Sequence, residues 1–450
     1  MIFKGKDREI MKKKMTVFAG VMAVSALFAA PEITNCSSEV NAASHVVTIT
    51  YDLSEDAVIT PAVFVGSTEM DASVTRSMAG AVHRLVKAGT GKKIYWKPEL
   101  ASTDALVVSG QAQVKLYAWK DDTPDYMIVD GIAKENVRYY VSTNALPLGS
   151  DLTDDLYKSE KLVMRKIIAK DIRWPMGLTA SDATQSGYEH APHYVTLTTN
   201  YYLGIYELTI AQFQNLINSD RKFHAVTSEV GVVRGKFRPA NAISHSDLRQ
   251  KGVYYWPTDG HAVAADSFIG ILRAHTGIDF DLPTEAQWEY ACRAGEPGEL
   301  YSGETWSEAN VNKLGWSTSN NAEDPHHYML AGRHMPHEVG LKLPNRWGLY
   351  DMLGNAHEHC LDVMSNANTS DEDKAMNDPY NGADTVDPVG PTSGTWVTLE
   401  GRHARRGSGC TSGYGRLNPH HRFNINFAAA GELSSYCDMG VRLACPAGVQ

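Results

Sequence analysis

The chain has 450 residues, 43 % of them hydrophobic and 21 % charged, with 42 Lys and Arg against 52 Asp and Glu for a net charge of −10. That balance excludes wholesale disorder, and the acidity excludes a nucleic-acid sheath, which needs a basic face. Six Cys in this length are too few for a fold built on disulfides.

The first segment reads as an address. Lys4, Lys6, Arg8 and Lys12-Lys13-Lys14 precede an uncharged apolar run, Met15 to Ala30, and Val40-Asn41-Ala42 offers a small-residue cleavage site. This order describes a secretory signal peptide over residues 1–42 and a secreted or periplasmic mature chain with no membrane association after cleavage. The other reading is a buried or membrane-spanning helix, for which the run is short against a hydrocarbon core of about 30 Å. Met11 is an alternative start, and Asn35 before Cys36 makes a poor lipoprotein signal. Cleavage near Ala42 leaves five Cys, enough for two disulfides and a thiol.

Residues 45–145 read as β. His45–Tyr51, Lys92–Trp96, Gln113–Trp119, Tyr126–Val129 and Val137–Val141 alternate at period two, separated by Gly- and Asp-rich turns. Short strands at this spacing predict an all-β sandwich of roughly immunoglobulin size. Trp96, Trp119 and Tyr126 are core or edge residues in that reading. Leu146 to about residue 158 reads as a linker. From residue 159 to 447 helical stretches are few, Thr209–Asn218 and Thr284–Arg293, between long segments rich in Gly, Asn and aromatics. Seven Trp spread through this part argue for packed irregular loops rather than disorder.

Two strings stand out. In Asp281-Leu282-Pro283-Thr284-Glu285-Ala286-Gln287-Trp288-Glu289-Tyr290-Ala291, Pro283 suits a first helical turn, Glu285 the positive helix end, and Trp288 and Ala291 share a face. In Gly348-Leu349-Tyr350-Asp351-Met352-Leu353-Gly354-Asn355-Ala356-His357-Glu358-His359, three oxygen side chains fall within eight residues of a Gly-containing loop. That is either a hard-ligand set suited to Ca²⁺ or plain loop hydrogen bonding. His357 and His359, with His326, His327, His334 and His337, could hint at zinc, yet imidazoles two apart point to opposite sides of an extended chain. Core or surface histidines are the alternative.

Together the strings resemble the formylglycine-generating enzyme family, the sulfatase-modifying factor domain. LPTEAQWEYA (Leu282–Ala291) and GLYDMLGNAHEH (Gly348–His359) match its two main patterns. Weaker matches keep the same order: Trp174–Gly177, Tyr201–Thr209, Ile243–Asp247, Arg405–Gly409 and Gly440–Arg442. The resemblance implies an α+β, loop-rich, C-type-lectin-like fold behind the β-sandwich. It implies oxidation of a sulfatase cysteine to Cα-formylglycine with O₂, on copper held by two thiolates shortly after the RGGS-like string. Paired thiolates suit Cu(I). Counted from Ser408, however, the two thiolate positions hold Thr411 and Arg416. Ser408 and Cys410 remain the catalytic candidates. Cys410 reads as a buried or free thiol, as a disulfide partner of Cys437 or Cys445, or as a copper ligand. Cys292 lies where relatives often carry a structural disulfide. The resemblance also implies a calcium site at Asp351, Gly354, Ala356 and Glu358, and the start of a second at Asn310 and Val311.

Two functions stay open: a non-catalytic or diverged module that binds protein, peptide or glycan, and an active copper- and O₂-dependent bacterial oxidase acting on a sulfatase. The missing thiolate pair favours the first.

Overall fold

The computed structural model describes residues 16–21 and 31–448, apart from 109–110, 121, 132–135, 178–188, 218–234, 242, 244, 250–261, 324–328, 331–332, 365–377, 391–402 and 425–437. The chain forms two compact units, one of residues 1–128, 137–154 and 447–450, the other of residues 129–136 and 155–446.

The first unit carries two sheets. One orders Thr16–Val21, Gln113–Trp119, Ala57–Val65 and Thr68–Glu69, with Arg84–Val86 also on Ala57–Val65. The other orders Ile33–Val40, Val47–Leu53, Gly89–Trp96 and Ala79–Gly80. The strand Val47–Leu53 is buried at every second residue, the pattern of a sheet with one face on a core. Ile49, Tyr51 and Trp96 from one sheet share a single apolar cluster with Ile59, Val114 and Leu116 from the other. Trp96 donates its indole N–H to the Val74 carbonyl, and Trp119 donates to Thr60 Oγ1. Both are packing residues, as the pattern of the sequence predicts.

Ala57–Val65 carries no simple alternation and holds Pro61, so the sequence pattern does not predict a strand there. It is nevertheless central. Gln113–Trp119 pairs along one side, while the other side is paired at 57–59 and 64–65, and Met70 N donates to the Val63 carbonyl. Pro61 sits at that gap, where its absent N–H can face no strand.

Ile33–Val40 and Thr16–Val21 fall within the segment read as a leader. Ile33–Val40 pairs antiparallel with Val47–Leu53, and Ile33 lies in the core. A cut at Ala42 would remove this strand from its sheet, whereas a cut before Ile33 would leave it. No helix among the described residues is long and apolar enough to cross a membrane.

The second unit is mixed α and β, with short strands and few helices. Its central sheet orders Phe423–Asn424, His403–Arg406, His357–Val363 and Met439–Gly440, and His357–Val363 is buried along its whole length. Lys161–Ile167, Tyr201–Gly204 and Ala444–Pro446 make an antiparallel set. Ile172–Met176, His193–Leu197 and Thr385–Val386 make another sheet.

The helix Glu285–Arg293 packs on the central sheet. Thr284 caps it, accepting from Gln287 N, and Gln287 returns its side chain to Thr284 N. Pro283 therefore precedes the cap rather than occupying the first turn; its carbonyl accepts Leu361 N. The Asn345 amide donates to the carbonyls of Ala291 and Cys292 at the other end, satisfying acceptors that a helix terminus leaves open. Ile210–Ile217, Phe268–Thr276 and Glu308–Leu314 are further helices.

Candidate functional site

The helix turns Glu285, Trp288 and Glu289 into the domain, each below 1 % exposed. Buried carboxylates need cations and donors, since desolvation of an unpaired charge is costly. The sheet supplies them. Arg406 donates Nε to Glu285 Oε1 at 2.7 Å and Nη1 to Glu289 Oε2 at 3.0 Å. Arg422 also grips Glu285, with Nε on Oε1 at 2.7 Å. Arg293, one turn along, donates Nε to Glu289 Oε1, which also accepts Gly177 N. These guanidinium groups hold the Glu285 carboxyl well below its usual range and that of Glu289 at about 2, against the opposing effect of burial.

A second cluster forms around the loop Asp351–Ala356. Glu358 is held by Arg442, with Nη2 on Oε1 at 2.6 Å and Nε near both oxygens, and it accepts the Trp288 indole N–H. Arg442 also donates to the carbonyls of Gly204 and Tyr350. Glu207, absent from the sequence-derived candidates, accepts Asn355 Nδ2 at 2.7 Å and Ala356 N at 2.8 Å. Asn355 Oδ1 accepts His337 N. Asp351 takes a left-handed φ of 54° and accepts Gly340 N through Oδ2. Its Oδ1 is buried with no hydrogen-bond partner among the described residues. Burial, and then the neighbouring carboxylates, push Glu207 well above its usual range; burial likewise lifts Asp351 to about 6. Glu207 lies within a string that the sequence singled out. Its role was hidden because its partners are 148 and 149 residues away.

These positions bear on calcium. Three buried acids, Glu207, Asp351 and Glu358, face Arg442, and Asp351 Oδ1 is an oxygen donor lacking a partner. An oxygen-only, electronegative loop of this kind fits a hard cation. Both Glu358 oxygens are already engaged by Arg442 and Trp288, so a cation here would have to share Glu358 with a guanidinium. No group of three or more His, Cys, Asp or Glu side chains among the described residues is placed to hold a metal unaided. Backbone carbonyls such as those of Gly354 and Ala356 would have to complete the shell.

The second expected calcium start differs. Asn310 and Val311 lie inside the helix Glu308–Leu314. Asn310 Oδ1 accepts the Lys313 ammonium at 2.9 Å, and the Val311 carbonyl accepts Gly315 N at 3.0 Å. A cation would have to displace both donors.

The catalytic candidates sit in the turn after His403–Arg406. Ser408 has φ 65°, and its hydroxyl donates to the Arg416 carbonyl at 2.8 Å. Cys410 is fully buried, and its Sγ lies 3.7 Å from the His334 carbonyl. It forms no disulfide with another described cysteine, so pairing with Cys445 is not present; Cys437 lies outside the described residues. Cys292 is likewise an unbridged buried thiol, pushed up by desolvation. At the two expected thiolate positions the structure has built other things. Thr411 Oγ1 donates to Asp438 Oδ2 at 2.5 Å. The Arg416 guanidinium lies 4.9 Å over the Phe423 ring. A Cβ on Gly409 would meet Asp438 Oδ2 at 2.2 Å, so a larger residue there would displace the carboxylate that Thr411 bonds.

His337, His357, His359, His245 and His403 are core groups, while His334 is half-buried. His357 packs edge-on against Phe423, His359 Nε2 lies 3.0 Å from the Ile243 carbonyl, and His337 stacks on Trp316 at 3.8 Å. His245 and His403 stack face to face at 3.6 Å. Burial pushes His359 down to about 3 and His403 to about 4, and takes His357 well below its usual range. His326 and His327 lie outside the described residues.

Fold and site thus define a loop-rich α+β domain whose interior is tied together by buried arginine–carboxylate pairs. Residues 163–445, well over half of the chain, match the family described as the sulfatase-modifying factor enzyme 1-like domain. The chain belongs to that family. The formylglycine-generating enzyme of Bos taurus is 26 % identical over 225 residues, covering 43 % of this chain and 54 % of that protein. Its Streptomyces coelicolor counterpart is 33 % identical over 127 residues, 27 % of this chain and 34 % of that protein. Chaperone protein LppX of Paenibacillus barcinonensis is 25 % identical over 205 residues, 39 % of this chain and 66 % of that protein. The chain spans just over half the length of the first two curated relatives it matches. Among solved structures, PvdO from Pseudomonas aeruginosa aligns with a TM-score of 0.43 and 20 % identity, over 63 % of this chain and 94 % of that one. Treponema denticola variable protein 1 gives 0.41 and 21 %, over 63 % and 95 %.

Proposed function

We propose that this protein is a diverged, non-catalytic member of its family, exported from the cytoplasm, whose C-type-lectin-like domain binds a protein, peptide or glycan. One observation carries the reading. The positions where the family's oxidase chemistry calls for two thiolates hold Thr411, bonded to Asp438, and Arg416, stacked on Phe423. Copper(I) finds no soft donor pair in such a turn. Cys410 alone, buried and beside a carbonyl, offers one sulfur.

In this reading the domain is a rigid display scaffold. Arg406, Arg422 and Arg442 fix the interior, and a calcium ion at Asp351, with carbonyls of Gly354 and Ala356, would neutralise part of the surplus acid charge. The ion would supply structural cross-linking of the loop rather than chemistry.

The test is direct. Purified protein is loaded with Cu(I) and incubated in air with a cysteine peptide carrying a sulfatase motif, and the product is examined by mass spectrometry. No aldehyde above a copper-only control is expected. Aldehyde that disappears in Cys410→Ala would overturn the proposal and restore the oxidase acting on sulfatases.

A further inference from the structure

A cavity of about 500 Å³ opens within the second unit, in the size range of small-molecule sites. It shares no residue with the Ser408–Arg416 turn. Its walls come from distant parts of the chain, and main-chain bonds pin them to one another. Asp281 and Ala444 exchange N–H···O bonds of 2.8 Å in both directions, and Leu361 N donates to the Pro283 carbonyl at 3.0 Å. Asp387 N donates to the Thr196 carbonyl at 3.0 Å, and the Tyr201 hydroxyl donates to the Gln287 carbonyl. A ligand entering here would have little backbone to order, which removes one of the usual costs of binding.

The lining has two characters. Leu197, Leu282, Leu361 and Ala444 are buried apolar walls. The charged groups are unequal. Asp281 is gripped by Arg249 at 2.9 Å and by Arg273 at 3.0 Å, and Arg273 also donates to the Phe280 carbonyl, so this charge is internally balanced. Asp387, at the exposed rim, is different. Its oxygens accept Thr198 N at 2.8 Å and Thr198 Oγ1 at 2.5 Å, both neutral donors. Among the described residues it makes no ion pair. A carboxylate accepts about four hydrogen bonds, so capacity remains for a cationic donor. Asp279 also lines the cavity.

We propose that this cavity binds a small organic amine, with its apolar body against Leu282 and Leu361 and its ammonium on Asp387. An anion of the same shape would meet the Asp387 carboxylate, with Arg273 already committed to Asp281. A neutral analogue would keep the apolar contact and lose the charge-assisted bond.

The experiment titrates the full chain at pH 7 with benzylamine, benzyl alcohol and benzoate, by calorimetry or ligand-observed NMR. Benzylamine is expected to bind about fivefold tighter than benzyl alcohol, the upper range for an ion pair at the solvent edge, and benzoate weakest. Asp387→Asn, which retains an acceptor for Thr198, should bring the amine down to the alcohol's affinity without changing the melting temperature. Val389→Trp, which fills the cavity, should abolish binding of both. The proposal is overturned if none of the three probes binds saturably, if the alcohol binds as tightly as the amine, if Asp387→Asn leaves the preference for the amine intact, or if the cavity-filling variant still binds.

Discussion

Replacing Arg442 by Met is the sharpest perturbation of the interior. Arg442 is 0 % exposed and bonds Glu358, Gly204 and Tyr350 at once. Removing one partner of a buried ion pair costs about 3–5 kcal/mol, because the remaining charge is stranded. Each carbonyl left without a donor adds about 1–3 kcal/mol. The total, of order 5–10 kcal/mol, equals much of the stability of a typical domain, about 5–15 kcal/mol. Arg442→Met should therefore leave the second unit unfolded near neutral pH. Adding Glu358→Gln removes the stranded charge while keeping an acceptor for the Trp288 indole, so the double variant should recover about 3 kcal/mol over the single one. Urea unfolding followed by tryptophan fluorescence, with Trp288 beside the perturbation, should show no folded baseline for the single variant and a transition at reduced urea for the double one. A single variant within about 1 kcal/mol of the parent, or a double variant no more stable than the single, would refute the view that this pair organises the core.

Three further outcomes follow from other residues. His403 titrates at about 4 in the folded chain against an ordinary 6.5; the unfolded chain takes the proton first, so stability is lost as pH falls from 6.5 toward 4 at about 1.4 kcal/mol per unit. His403→Phe keeps a ring on His245 and cannot titrate, so its stability relative to the parent should improve by about 2 kcal/mol between pH 7 and 4.5; a difference that does not vary with pH would count against a buried neutral imidazole. A chelator should lower the melting temperature of the parent but not of Asp351→Asn, since a ligand bound only to the native state stabilises it; equal melting with and without chelator would remove calcium from this loop. Protein recovered after export should retain Ile33 at or near its new N-terminus, because Ile33–Val40 completes a sheet; intact mass showing a start at Ala43 would contradict this.

How far the structure could be read in advance depends on how local its causes are. The helix Glu285–Arg293 announces itself through Thr284 and Gln287, three residues apart, whose reciprocal bonds form the capping box. Gln113–Trp119 is legible for the same reason, since its alternation states which face is buried. Phe268–Thr276 is as local in its causes: Ser267 caps one end, Gly277, at φ 66°, closes the other, and Phe268, Ile269 and Leu272 fall on one buried helical face. The site divides likewise. Asp351 and Glu358 are visible as acids in a glycine-containing loop, but nothing near Glu358 announces Arg442, 84 residues away. Without that partner a carboxylate reads as a metal ligand, and with it as half of an ion pair.

The distances along the chain carry one more consequence, for the order in which the protein can be finished. Glu207 and Glu358 emerge from the ribosome well before Arg442, and Glu285 well before Arg406 and Arg422. Until those arginines arrive, the acids have no reason to leave water, and a core that contains them cannot close. The second unit is therefore a late-completing body, whose last few residues decide whether everything made before them is allowed to condense. A chain cut short before Arg442 would hold every helix of the domain and still lack the charge that lets the interior dry.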